Sequence, residues 1–161
     1  MAVSMGRHKI GGFKFEKIGG KLPFRVREDY SHTWKETPIL GPSAAGPPPL
    51  IITNRRGGVV VTFDDDTDVI LHQDYRWDGN SGPAPNKLEC LRASALHDAW
   101  SQAIAHRIFE RSYRNWRRGA KEYRKVARED GLSFFRAWWR YTGLMVYGAW
   151  KKFVKRELSE P

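Results

Sequence analysis

The hydrophobic period of the chain changes once, between Asp78 and Asn86, and that change divides what each half can fold into. Before it, apolar and polar residues alternate over short runs broken by Gly and Pro; after it, apolar residues recur every three or four positions over long runs. Gly11 to Ile18 (GGFKFEKI) reads as a strand with Phe13, Phe15 and Ile18 facing inward, stopped by Gly19 and Gly20, and Leu22 to Arg27 reads as a second. Leu50 to Thr53 and Val59 to Phe63 are apolar and β-branched, and Val69 to His72 follows the acidic turn Asp64 to Asp68, which predicts a hairpin. That turn lacks the Gly and Glu positions of an EF-hand loop and reads as a solvated turn. Pro38 to Pro49 holds five prolines among twelve residues, so it cannot pair as a central strand and reads as a loop or polyproline arm.

In the second half, Asn86 is the expected N-cap, with Glu89 in the capping-box position. Leu88, Leu91, Ala95, Leu96, Ala99, Trp100, Ala103, Ile104 and Ile108 form a stripe at helical spacing. The spacing predicts a first helix to about Arg118, ended or bent at Gly119, and a second over Ala120 to Glu129, stopped by Asp130-Gly131. A third begins near Ser133 and runs to about Arg156, with Phe134, Trp138, Tyr141 and Met145 on one face and Phe135 and Trp139 beside it. The cluster Phe134, Phe135, Trp138 and Trp139 reads as core. Strands first and helices after make an α+β fold. We expect one domain over 1–161: a strand- and loop-rich part, 1–87, with the proline-rich arm 38–49, and a basic helical part, 88–161.

A chain of 161 residues with 40% apolar residues can bury one ordinary core. Its single cysteine excludes an internal disulfide, and Cys90 reads as a reduced, buried filler. Met1 to Gly12 has no apolar run suited to a secretory signal, and no stretch approaches the roughly 18 uncharged apolar residues of a membrane span. A soluble protein in a reducing compartment is the expectation. The formal charge of +10 is uneven. Met1 to Lys87 carries 12 basic and 10 acidic residues, and Leu88 to Pro161 carries 16 and 8, so the helical half holds nearly all of the field together with five of the seven tryptophans. Such a surface suits anionic lipid, nucleic acid or an acidic protein.

Chemistry concentrates in Tyr75 to Trp100 (YRWDGNSGPAPNKLECLRASALHDAW). A Gly- and Pro-rich loop with Asp78, Asn80 and Ser81 directly precedes a helix whose third turn carries His97-Asp98. Loop carbonyls and Asp side chains can hold a hard cation, and a helical His beside an Asp can act as a base next to it. The alternatives are a buried, hydrogen-bonded structural His, and Asp78 and Ser81 as turn caps.

Trp77-Asp78-Gly79-Asn80-Ser81-Gly82-Pro83 followed by Ala93-Ser94-Ala95-Leu96-His97-Asp98-Ala99-Trp100 resembles the phage and prophage family catalogued as domain of unknown function 1353. Glu129-Asp130-Gly131, Arg136-Ala137 and Tyr141 to Gly148 are similar to that family's second half, so the resemblance covers about Val59 to Gly148. It implies a viral origin, a small α+β fold, synthesis in the host cytoplasm and association with the virion. The loop and His-Asp pair also resemble, more distantly, secreted phospholipase A2 enzymes. That resemblance implies His97 as general base, Asp98 as calcium ligand, and carbonyls around Gly79, Asn80 and Gly82 as further ligands, with calcium as the implied cofactor. The enzymes' anchoring cysteines are absent, Ser101 stands where a tyrosine is usual, and Ala120 precedes Tyr123 where the phage family tends to have an Asp. Glu122 or Asp130 are the carboxylates left to orient His97.

Arg111, Arg114, Arg117, Arg118, Lys121, Arg124 and Lys125 fall three or four apart and predict one positive face, and Trp150, Lys151 and Lys152 read as an interfacial helix end. Three functions follow as expectations. The first is a phage hydrolase of envelope lipid or another ester. The second is a non-catalytic virion or assembly protein whose basic face and proline-rich arm bind other virion subunits. The third, nucleic-acid binding, has the charge but no helix-turn-helix or zinc-finger motif.

Overall fold

The computed structural model describes residues 5–45, 49–64, 68–79, 85–148 and 150. Eight strands come first: β1 (Gly6–Ile10), β2 (Phe13–Lys17), β3 (Phe24–Val26), β4 (Tyr30–Thr33), β5 (Leu50–Thr53), β6 (Val59–Phe63), β7 (Asp68–Leu71) and β8 (Arg76–Trp77). Three helices follow: α1 (Leu88–Ala105), α2 (Tyr113–Glu129) and α3 (Phe134–Gly143), the last running into a π-helical turn, Leu144–Gly148. The α+β order read from the period change is the order observed.

Two four-stranded antiparallel sheets form, β1-β2-β3-β8 and β4-β7-β6-β5. In the first, alternation sets Phe13 and Phe15 of β2 inward, and pairing brings Phe24 opposite Trp77. The rings of Phe13, Phe15, Phe24 and Trp77 pack with centroids 5.4 to 6.2 Å apart. Burying each such side chain contributes about 1.5–3 kcal/mol. In the second sheet, β5, β6 and β7 are the apolar segments read from sequence, and β4 closes its edge. β1, β4 and β8 escape a sequence reading because they are short and half polar.

α1 is the central helix. Rather than one stripe, it buries nearly every residue from Cys90 to Trp100, and it meets Trp77 of the first sheet, Tyr30 of the second, and Trp116 and Tyr123 of α2. Trp77 Nε1 donates to Ser94 Oγ at 3.0 Å, which seats α1 on β8. Asn86 lies one position before the N-cap, Lys87, whose side chain makes no capping bond. Cys90 is fully buried, and burial holds its thiol above the ordinary range.

The helix boundaries correct the sequence reading. α1 stops at Ala105, not Arg118, because Arg107 adopts a positive φ of 59° and Ile108 and Phe109 turn back into the core. Ser112 then caps α2, its Oγ accepting from Asn115 N at 3.3 Å. Gly119 neither ends nor bends a helix. It lies inside α2 at the crossing with α1, where a Cβ would come within 2.6 Å of Trp100 Cδ1. The stop at Asp130-Gly131 and the start after Ser133 are as expected.

The proline-rich arm begins strapped to its own chain. Asn115 Nδ2 donates to Ile39 O at 2.7 Å, Ile39 N donates to Asn115 Oδ1 at 2.8 Å, and Gly41 N donates to Ile108 O at 2.8 Å. These bonds hold the start of the arm to α2 and to the turn after α1. Residues 46–48 lie outside the described residues.

Because Trp100 fills the space beside Gly119, Gly119→Ala is expected to lower stability by about 1–3 kcal/mol despite the better helix propensity of Ala. Urea unfolding with an unchanged m-value checks this.

Candidate functional site

His97 and Asp98 are neighbours on α1, and a helix turns about 100° per residue, so they address different surroundings. His97 is buried against α2, with the rings of Trp116 and Tyr123 edge-on at 5.1 and 6.1 Å. Asp98 is half-buried on the side of Tyr75. The Tyr75 phenol is held well above its ordinary range, first by complete burial and then by the charges of Asp98 and Asp78. The charges of Asp78 at the start of the loop and of Asp98 on α1 thus both act on this one buried phenol. Tyr123 is likewise pushed up, chiefly by burial.

Gly79 follows Asp78 with φ +88° and is buried; a Cβ there would come within 2.5 Å of Asn86 Oδ1 and 2.8 Å of Phe24 Cε2. Only glycine fits this close passage. Asn80, Ser81 and Gly82 lie outside the described residues. On the far side of the loop, Pro85 O accepts from Arg140 Nη2 at 2.8 Å, which ties α3 to the start of α1. Among the described residues, no group of three or more His, Cys, Asp or Glu is arranged to hold a metal ion.

Neither carboxylate expected to orient His97 is engaged there. Glu122 is buried, its Oε1 accepting from His32 Nε2 at 2.7 Å and its Oε2 accepting from the backbone amides of Lys35 and Glu36, each at 3.0 Å. Asp130 pairs with Arg92, whose guanidinium also donates to Tyr30 Oη at 2.9 Å and to Glu129 Oε2 at 3.2 Å. Both groups serve the junction of α1 and α2 with β4. Sequence reading missed Tyr75, His32 and Arg92. Tyr75 was within reach, since Tyr75 and Trp77 alternate inward; the His32–Glu122 contact spans 90 positions and leaves no local signal.

Arg114, Arg117, Arg118, Lys121, Arg124 and Lys125 share one side of α2, away from the buried Asn115, Trp116, Gly119, Ala120, Glu122, Tyr123, Val126 and Ala127, while Arg111 precedes the helix. Arg111, Arg114 and Arg117 are exposed. Arg118 donates to Thr37 O at 2.6 Å, Arg124 lies 4.7 Å from the centroid of the Tyr141 ring, Lys125 pairs with Glu36, and Lys121 is half-exposed. Trp150 is exposed, and Lys151 and Lys152 lie outside the described residues.

The aromatic cluster of α3 is not core. Phe135 is 83% exposed and Trp139 72%, and Phe134 and Trp138 are at least half exposed, because the helix docks through Ala137 instead. Among the described residues, no helix is long and apolar enough to cross a membrane.

Comparison with protein-family models, with curated proteins and with solved structures finds no match for this chain.

A phenol whose pKa is raised on folding contributes stability that is complete below its unfolded value, about 10, and is lost as pH rises toward the folded value. Alkaline unfolding followed by circular dichroism is expected to begin above about pH 10 and to be less steep in Tyr75→Phe.

Proposed function

We propose that the chain is a phage-encoded, metal-dependent hydrolase of envelope lipid or another ester, with its working groups at the junction of the Asp78 loop and α1. The observation that carries this reading is the bond from Trp77 Nε1 to Ser94 Oγ at 3.0 Å, which holds the strand that ends beside Asp78 against the helix that carries His97 and Asp98. The resemblance of Trp77 to Pro83 and Ala93 to Trp100 to the phage and prophage family supports it.

Asp78 and Asp98 supply carboxylate oxygens, the donor type that suits a hard cation, and Asp98 with carbonyls around Gly79, Asn80 and Gly82 is the ligand set that the phospholipase-like motif implies. When bound, calcium supplies Lewis acidity, polarising an ester carbonyl and stabilising its developing oxyanion. The phospholipase-like motif implies His97, buried against α2 one residue before Asp98, as the base that would accept the proton of an attacking water. The rings of Trp116 and Tyr123 pack edge-on against it at 5.1 and 6.1 Å.

Calorimetric titration with calcium tests the cation site without any substrate. Saturable heat is expected for the wild type, with affinity roughly tenfold or more weaker in Asp98→Asn and in Asp78→Asn. His97→Ala is expected to retain calcium binding and lose ester hydrolysis. No saturable binding at millimolar calcium, or hydrolysis that persists in His97→Ala, overturns the reading. His97-Asp98 is then a structural pair, and the non-catalytic virion or assembly role replaces it.

A further inference from the structure

α3 spreads its largest apolar side chains away from its own core. At about 100° per residue, Phe134, Trp138, Phe135 and Trp139 span an arc of about 140°, while Ala137 and Leu144, with Tyr141 half-buried beside them, mark the opposite side that meets α2. That attachment is narrow but well anchored: Trp116 Nε1 donates to Leu144 O at 2.9 Å, and Arg124 stacks on Tyr141. Val146, 68% exposed, and Trp150, 55% exposed, extend the apolar surface past the end of α3. An outward patch of this size on one helix goes well beyond the single exposed apolar residues of ordinary surfaces.

The charges around the arc decide what covers it. Arg136 is exposed directly beside it. At its N-terminal end, Phe134 and Ala137 also line an open cleft of about 420 Å³ whose other walls carry Arg124 and Arg128 together with Lys35, paired with Glu129, and Lys125, paired with Glu36. A second copy of the chain would oppose +10 with +10. The arc is a convex ridge of Trp and Phe flanked by cations, and a bilayer surface accepts that shape while its phosphates meet the cations.

We propose that α3 is a membrane-docking element that lies in the interface of an anionic phospholipid bilayer, with Phe134, Phe135, Trp138 and Trp139 among the headgroups and upper acyl chains and the Lys35–Arg128 cleft holding a lipid phosphate. The inference does not rest on the hydrolytic reading, since it concerns a different surface and its test needs neither calcium nor turnover.

The test is flotation of the full chain with vesicles of equimolar phosphatidylglycerol and phosphatidylcholine, and with phosphatidylcholine alone, alongside tryptophan emission. Flotation with the anionic vesicles, a blue shift of emission, and weakening as salt is raised are expected. Phe135→Ser combined with Trp139→Ser is expected to lower vesicle affinity about tenfold or more while leaving the circular dichroism and the thermal midpoint unchanged, because both side chains are exposed. Arg136→Gln is expected to weaken binding to the anionic vesicles alone. Absence of flotation overturns the proposal, as does binding indifferent to phosphatidylglycerol or undiminished in the double variant. Sedimentation showing that α3 instead pairs two copies, with no affinity for vesicles, overturns it in favour of self-association.

Discussion

The fold depends on a carboxylate placed inside it. Glu122, 1% exposed, sits on the buried side of α2 and gathers three donors from the other half of the chain: the His32 ring at the inward position of β4, and the amides of Lys35 and Glu36 just after it. Taking a carboxylate out of water costs several kcal/mol, and only a nearly complete set of hydrogen bonds offsets that cost. One arrangement of α2 against β4 supplies the set; a shift by one helical residue would turn Glu122 away by about 100° and leave the donors without it. Beside it, Arg92 of α1 joins Asp130, Glu129 and Tyr30. Two polar clusters thus tie both long helices to one strand, and α1 is held at a single rotation. That rotation is what sends His97 toward Trp116 and Tyr123 and Asp98 toward Tyr75.

The surroundings of His97 and Asp98 follow from this placement. A His-Asp dipeptide in a helix looks like one functional unit in sequence, yet its two side chains diverge, and what unites them is the identity of their neighbours. Asp98 shares Tyr75 with Asp78 because β8 is pinned to α1 through Trp77 and Ser94, four residues before Asp98. The loop must leave β8 at Gly79 in a conformation that side chains disfavour, between Asn86 and Phe24, so the direction in which Asp78 is presented is fixed by packing. The two carboxylates that sequence offered as partners for His97 are spent on holding α2 and α1 to β4. In this chain the imidazole is framed by aromatic edges.

How much of this was legible depended on the range of the forces involved. Period alone revealed strands before helices, the inward Phe13 and Phe15, the β5–β6–β7 segments, and the stop at Asp130-Gly131, because each is set within a few residues. The boundary between α1 and α2 was misread because apolar spacing continues through Ile104 and Ile108, while the actual break is made by a positive φ at Arg107 and a cap at Ser112. Gly119 looked like a terminator by propensity; its role is to admit the Trp100 indole, which no local pattern encodes. The candidate site was half legible. His97, Asp98 and Asp78 stand out as residue types at a spacing, whereas Tyr75 enters through burial and Glu122 leaves through a contact 90 positions away.

The α3 aromatics expose the limit of reading apolar residues as core. A helix needs only a narrow stripe to dock, and here Ala137 and Leu144 fill it, with Tyr141 and Met145 at its margins. Ala137 lets α3 approach α2 closely, and the larger side chains are then too far around the helix to reach any part of the protein interior. Burial and hydrophobicity separate because the second is a property of the residue and the first of its angle on the helix. The same geometry aligns Arg136 with the outward aromatics and brings Phe134 to the lip of the cationic cleft, so apolar surface and positive charge end up on one continuous face. A second copy of the chain, also at +10, would be repelled from that face by charge, while apolar area is penalised in water; an anionic interface would meet both conditions.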